Sequence, residues 1–208
     1  MTPDASRKIA YPSNRSLIWN GDLLLFRPAT RIGRLIARAG RSEYCHVGTA
    51  VWARSQLLGT AVWARSQLLC CDTRATGGRR VRLSRLVEAY PGAIDLYRPL
   101  YTGSEEAAHA KREWVADWVF RHAEGLYGWG SILKMSLLHA PVLRWLIDAH
   151  EYRDDVEAGT MQPVCSELRS IADRLAGDDP VPNLADRLTE PGDLARSTLY
   201  RYLGTLVA

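Results

Sequence analysis

An exact tandem duplication is the sequence feature that most constrains how this chain can fold. The eleven letters GTAVWARSQLL occupy residues 48–58 and recur unchanged over residues 59–69. Side chains along a strand alternate between the two faces of a sheet, and eleven is an odd number. Equivalent residues of the two copies would therefore point to opposite faces of one strand, so both copies cannot fill the same core position equally well.

Two arrangements of the duplicated segment are open from the sequence. In the first, residues 57–63 add a strand, which makes a three-strand meander and reverses the direction of residues 68–73. In the second, residues 46–52 and 68–73 stay paired as a hairpin, and residues 53–67 form a long connection. Doubling a loop costs only about 0.6 kcal/mol, whereas a lost register exposes a whole core face. We therefore predict the hairpin, and we interpret the duplication as tolerated rather than functional, because solenoid repeats are longer and diverge.

Length and composition favour one globular domain. The chain has 208 residues, of which 47% are hydrophobic and 24% are charged, and this is enough for a single hydrophobic core. We assign residues 1–16 to a flexible tail and residues 17–208 to one domain. The net charge of +4 comes mostly from scattered arginines, without an aromatic-interleaved basic motif, so we expect no nucleic-acid partner.

Neither a targeting segment nor a cofactor motif is evident in the sequence. Residues 1–16 lack the apolar region of a signal peptide, and no apolar run reaches the length that spans a bilayer. We therefore predict a cytoplasmic protein without stable membrane insertion. The four cysteines, Cys45, Cys70, Cys71 and Cys165, lack the spacing of a zinc site or a disulfide framework, so we predict no metal and no cofactor.

Hydrophobic patterning predicts an α+β fold, with strands in the first half and mostly helices after them. Strands are predicted at 23–26, 46–52, 68–73, from Val81 onward and at 93–97, with a Gly77-Gly78 turn between the third and fourth. Helices are predicted at 29–39, from Ser104 to about His122, in two pieces over 126–146, and from Ser166 to Gly177.

Cys165 and His46 have the chemistry of a nucleophile and its base. The helix predicted after Pro163 would begin close to Cys165, where the positive end of the helix dipole favours a thiolate. His46 begins a strand, which is a rigid support for an imidazole. A lone cysteine before a helix is more often a small buried apolar residue, so these two positions alone do not define a site.

Three short motifs follow one another in an informative order. GDLLLF lies at 21–26, SEYCHVGTAV at 42–51 and VCSELRSIA at 164–172. Together they resemble the permuted NlpC-type papain-like family, in its YiiX-like branch, which is related to lecithin:retinol acyltransferase-like proteins. Ordinary papain-like enzymes have the cysteine before the histidine, whereas the permuted branch has the histidine first, as here. The resemblance implies a circularly permuted papain-like fold, with a small antiparallel sheet packed against helices and the nucleophile at a helix N-terminus.

The resemblance also implies roles for individual residues. Cys165 would attack a carbonyl carbon, and His46 would take the thiol proton and later protonate the leaving group. Asp72, within CDT at 71–73, stands where the family has a residue that orients the histidine, although an ordinary strand-end aspartate is an equal alternative. The expected substrate-binding residues are Tyr127, Tyr44 and Ser166, with core packing an equal alternative for Tyr127.

We therefore predict a thiol-dependent hydrolase, a cysteine peptidase or amidase that cleaves an amide bond in a peptide or peptidoglycan fragment. Two alternatives stay open at this point. One is a lipid acyltransferase or thioesterase of the same fold, and the other is a binding module with a degraded site. An accessible Cys165–His46 pair favours either enzyme, whereas a buried thiol or a displaced histidine favours the binding module.

Overall fold

A computed structural model describes residues 7–53, 67–74, 77–123 and 165–208 of the chain. The predicted helices over 126–146 and the centre of the duplicated segment lie outside these residues. The strands are β1 (Lys8–Ala10), β2 (Leu23–Phe26), β3 (His46–Ala53), β4 (Gln67–Arg74), β5 (Gly77–Arg82), β6 (Ile94–Pro99) and β7 (Tyr200–Val207). The α-helices are α1 (Tyr11–Asn14), α2 (Arg31–Ala39), α3 (Leu83–Ala89), α4 (Glu105–His122), α5 (Cys165–Leu175) and α6 (Pro191–Arg196).

The strands form one mixed sheet of seven strands in the order β1-β7-β6-β2-β3-β4-β5. β1 and β7 are parallel, and the other neighbours are antiparallel. The predicted α+β class is confirmed. The expectation of a small antiparallel sheet is wrong, because the sheet has seven strands and β1 runs parallel to β7.

The centre of the sheet is built by the most apolar tetrapeptide of the first motif. All four residues of β2, Leu23–Phe26, are buried, and β2 lies between β3 and β6. A strand that is covered on both faces needs apolar side chains at every position rather than at alternate ones. The unbroken LLLF run meets this requirement, and it places β3, with His46 at its start, next to the core.

The hairpin predicted around the duplication is confirmed in its paired strands. β3 and β4 are antiparallel, with Thr49 opposite Cys71 and Ala53 opposite Gln67. Residues 48–53 of the first copy therefore belong to β3, and residues 67–69 of the second copy belong to β4. Residues 54–66, which connect them, lie outside the described part of the chain.

Several sequence-based boundaries differ from the structure. Residues 8–17 belong to the fold, since β1 pairs with β7 and Tyr11 of α1 is buried, so the tail predicted over 1–16 is wrong for residues 8–16. Gly77 and Gly78 begin β5 and pair with Arg74 and Thr73, rather than forming a turn. The strand predicted from Val81 onward ends at Arg82, and the helix α3 follows it instead. β7 was not predicted, because its place beside β6 depends on partners about a hundred residues earlier in the chain.

Helices cover both faces of the sheet. On one face, Leu25 and Val47 pack with Val115 of α4 and with Leu168 and Ala172 of α5. On the other, α1 and α3 supply Tyr11, Leu83 and Leu86 to a second core, together with sheet residues such as Leu24 and Phe26. None of the helices in the described ranges has both the length and the apolar content required to cross a bilayer.

Candidate active site

Cys165 and His46 meet where the first turn of α5 lies against the start of β3. Cys165 is the first residue of α5 and is half-buried. The thiol interacts with the His46 imidazole and with the backbone N–H of Val47, and both interactions favour its thiolate form. The structure therefore brings together the two residues that the sequence singled out across more than a hundred intervening positions.

Asp72 lies on the other side of the His46 ring. Nε2 of His46 is 2.7 Å from Oδ2 of Asp72, and the Asp72 side chain is fully buried. With Nε2 engaged by Asp72, Nδ1 is the ring nitrogen left to exchange a proton with Cys165. β3 and β4 are adjacent in the sheet, so the hairpin brings the Asp72 carboxylate within reach of the His46 ring.

Arginines hold the Asp72 carboxylate in place. Nε of Arg79 donates to Oδ1 of Asp72 at 2.6 Å and Nη2 donates to Oδ2 at 2.8 Å, which is a two-pronged contact. Nε of Arg74 is 3.4 Å from Oδ2. Arg79 lies opposite Asp72 in the β4–β5 pairing, so the sheet register itself delivers the guanidinium to the carboxylate.

The electrostatics of the cluster favour a thiolate beside an imidazolium. Burial opposes protonation of His46, but its interactions with Cys165 and Asp72 outweigh burial and raise the pKa of His46 to about 9. Burial alone would raise the pKa of the Cys165 thiol, yet the charge and hydrogen bond of His46 bring that pKa below its ordinary value. Burial alone would also raise the pKa of the Asp72 carboxyl, but the hydrogen bonds and charges of His46 and Arg79 outweigh burial and lower that pKa. Between the two shifted pKa values the ion pair is the dominant form.

A buried polar cluster fixes the nucleophile helix against the sheet. Arg169 of α5 is 1% exposed and donates through Nε to Oδ2 of Asp173 at 2.8 Å. Its other nitrogens reach Oγ1 of Thr49 on β3 and the hydroxyl of Tyr101 at 3.3 Å each. The hydroxyls of Tyr101 and Tyr200 both donate to Asp173. The cluster joins α5 to the strand that carries His46, and so it sets the relation between the two reacting groups.

The residues predicted to bind substrate have a different placement. Tyr44 is buried and donates its hydroxyl to Oδ2 of Asp95 at 2.7 Å, and Ser166 is buried in the first turn of α5. Neither side chain faces solvent, so their assignment to the substrate pocket stays a prediction. Tyr127 lies outside the described residues.

Sequence reasoning missed Arg79 and Gly48. A Cβ on Gly48 would lie 2.5 Å from Sγ of Cys70 and 3.3 Å from Cε2 of Phe26, so β3 can pass beside β2 and β4 here only without a side chain. The pattern HVG did contain this glycine, two residues after the histidine. Arg79 had no signal of its own, because its importance depends on the β4–β5 register.

Comparisons with known proteins agree with this picture at the level of the fold. A scan against protein families finds no match, and a search of curated proteins finds none either. Among solved structures, the chain is similar to a crystal structure described as metalloprotein YiiX from Escherichia coli O157:H7. The TM-score is 0.56 and the identity is 13%, over 92% of this chain and 99% of that chain. The fold is therefore an α+β fold like that of YiiX, and an identity this low shows the fold alone.

The word metalloprotein belongs to that neighbour, and the described residues of this chain do not fit a metal centre. Within the ranges that the structure describes, no group of three or more His, Cys, Asp or Glu side chains is placed to hold a metal ion. The oxygens of Asp72 are already engaged by Arg79 and His46. Among the described residues, the cluster would thus offer a metal the sulfur of Cys165 and one nitrogen of His46, which are fewer ligands than zinc requires.

Proposed function

We propose that the protein is a thiol-dependent hydrolase of permuted papain-like architecture, which cleaves an amide bond in a peptide or peptidoglycan fragment. The observation that carries the proposal is the His46 imidazole, which contacts Asp72 through one side and Cys165 through the other. A nucleophile, a base and an orienting group in this arrangement are the recurring elements of covalent acyl transfer.

The first half of the proposed reaction forms a thioester. The Cys165 thiolate attacks the amide carbonyl carbon, and the resulting oxyanion faces the backbone N–H of Cys165, because the first N–H groups of a helix have no partner within it. His46 gives its proton to the leaving nitrogen as the C–N bond breaks. An amine departs, and the acyl group remains on sulfur.

The second half returns the enzyme to its starting state. His46 is now neutral and takes a proton from water, and the hydroxide equivalent adds to the thioester carbonyl. The C–S bond breaks, a carboxylic acid leaves, and the released thiolate again pairs with the protonated imidazole. Asp72 holds the ring in one orientation throughout, and Arg79 holds Asp72.

Incubation with a panel of peptides and peptidoglycan fragments, followed by mass spectrometry of both protein and product, tests this function. We expect a new amine and a new carboxylic acid from one panel member, and an acyl adduct on Cys165 at short times. Cys165→Ser and His46→Ala should abolish both. Cys45→Ser is the matched control, because Cys45 is also half-buried and adjoins His46 but lies outside the proposed reaction.

The same assay, with phospholipids, other esters and thioesters added to the panel, separates the alternative chemistry of the fold. Acyl transfer from a phospholipid to Cys165, with no cleavage of any amide, would replace the hydrolase proposal by a lipid acyltransferase or thioesterase. A Cys165 that forms no adduct with any amide, ester or thioester would contradict both enzymes and leave a binding module.

A further inference from the structure

Helix α2 turns its large apolar side chains toward solvent. Ile32 is 72% exposed, Leu35 is 68% exposed and Ile36 is 47% exposed. The buried residues of this helix are both small, Gly33 and Ala37. A surface helix of a globular protein normally does the reverse and buries its apolar stripe. The exposed stripe of Ile32, Leu35 and Ile36 therefore needs a reason other than packing within the core.

Positive charge lies directly beside this apolar stripe. At 100° per residue, Arg31, Arg34 and Arg38 fall on one flank of the stripe, and all three are exposed. The first turn of α2 contains no acidic residue. Within the part of the chain that the structure describes, none of these three guanidinium groups forms an ion pair, so their charge is not neutralised by a carboxylate there.

We propose that α2 docks on an anionic membrane surface, with the apolar stripe at the boundary between headgroups and acyl chains and the three arginines on lipid phosphates. A short helix with an apolar face and a flank of arginines has the composition of an interfacial helix. It lies in the plane of the surface, which agrees with the prediction that the chain does not insert stably.

Other occupants fit the helix less well. A nucleic acid would use the arginines but would leave the isoleucine and leucine side chains in water. An antiparallel second copy, related by a two-fold axis perpendicular to α2, would bring the two sets of arginines to the same side of the interface, which is unfavourable. An anionic bilayer can contact the apolar stripe with its acyl chains and the three arginines with its phosphates.

The buried face of α2, opposite the apolar stripe, lies near the candidate active site. A Cβ on Gly33 would lie 3.3 Å from Sγ of Cys45, and Cys45 directly precedes His46. The inference concerns where the protein is held, and it does not depend on the chemistry at Cys165.

Vesicle co-sedimentation of the full chain tests the proposal. The probes are vesicles of phosphatidylcholine alone and vesicles of phosphatidylcholine mixed with phosphatidylglycerol. We expect binding to the anionic vesicles that weakens as salt rises. Ile32→Gln/Leu35→Gln should weaken it at least about 10-fold through lost apolar burial, and Arg34→Gln/Arg38→Gln should weaken it and flatten its salt dependence.

Matched controls use exposed residues away from α2. Leu100→Gln removes a leucine that is 47% exposed, and Arg201→Gln removes an exposed arginine on β7, so both should bind like the parent. Cys165→Ser should also bind like the parent, so that loss of hydrolysis and loss of membrane binding are separate results.

Four outcomes would overturn the proposal. The first is that the parent does not bind to anionic vesicles. The second is that the parent binds and the α2 variants bind equally well. The third is that the parent does not bind vesicles and Ile32→Gln/Leu35→Gln melts at a much lower temperature than the parent, which would mean that the chain itself covers the stripe. The last is a change of oligomeric mass in that variant without vesicle binding, which would mean that a second copy covers it.

Discussion

Asp72→Asn separates the charge of Asp72 from its shape. Asparagine is nearly isosteric and keeps a carbonyl oxygen that can accept from Nε2 of His46, but it has no negative charge. The parent distance is 2.7 Å between Nε2 and Oδ2, and the carboxylate has no exposed side-chain area. Water and salt therefore screen the interaction weakly, and the effect of removing the charge should be large.

The expected size follows from the shift of His46. Burial lowers the pKa of His46, and its interactions with Cys165 and Asp72 reverse that effect and raise it from 6.5 to about 9. An opposite charge at hydrogen-bonding distance moves a pKa by about 1–3 units. We therefore expect Asp72→Asn to lower the His46 pKa by about 1–2 units, which corresponds to about 1.4–2.7 kcal/mol less stabilisation of the imidazolium.

NMR titration of the histidine ring nitrogens measures this directly. The parent and Asp72→Asn are each compared with and without Cys165→Ser, so that the contributions of the thiolate and the carboxylate can be separated. Asp178→Asn is the control, since that carboxylate accepts from Lys111 instead. An unchanged His46 titration in both backgrounds would refute the view that Asp72 stabilises the imidazolium.

Two further predictions concern stability. Arg169→Leu leaves the buried Asp173 carboxylate without its cation and should lower the free energy of unfolding by about 3–5 kcal/mol, or the melting temperature by about 6–20 °C for a domain of this size. The double variant Arg169→Leu/Asp173→Leu should recover much of the loss. An Arg169→Leu variant as stable as the parent would contradict the buried ion pair. Gly48→Ala forces a Cβ against Sγ of Cys70 and should lower the free energy of unfolding by about 1–3 kcal/mol through overpacking. Adding Cys70→Ala should relieve this loss. A Gly48→Ala variant that melts like the parent would argue against the tight contact.

The sequence predicted local features better than long-range ones. β2, α2, α4 and the start of α5 follow from apolar runs, from Ser104 as a cap and from Gly40 as a helix end, all of which are encoded within a few residues. The β3–β4 pairing followed from an argument about parity and loop entropy. β7 could not be found this way, because its place beside β6 depends on partners about a hundred residues earlier in the chain.

The residues of the candidate site also divide into those that local motifs predict and those that depend on long-range packing. Cys165, His46 and Asp72 were found because each lies in a short motif, and the structure brings all three together. Arg79 and the Arg169 cluster were not found, since each depends on register or on packing between distant elements. Exposed Ile32, Leu35 and Ile36 show the limit of periodicity, because helical spacing predicts a helix without indicating which face is buried.

The pH dependence of Cys165 alkylation by iodoacetamide tests the central claim most directly. The thiolate should appear as pH rises through a pKa below the ~8.5 of a free thiol, and its imidazolium partner should be lost only as pH rises through about 9. Cys165→Ser subtracts the three other thiols, and His46→Ala removes the ion pair. The account predicts fast labelling at low pH that His46→Ala abolishes. Labelling at an ordinary thiol pKa, the same with and without His46, would contradict it.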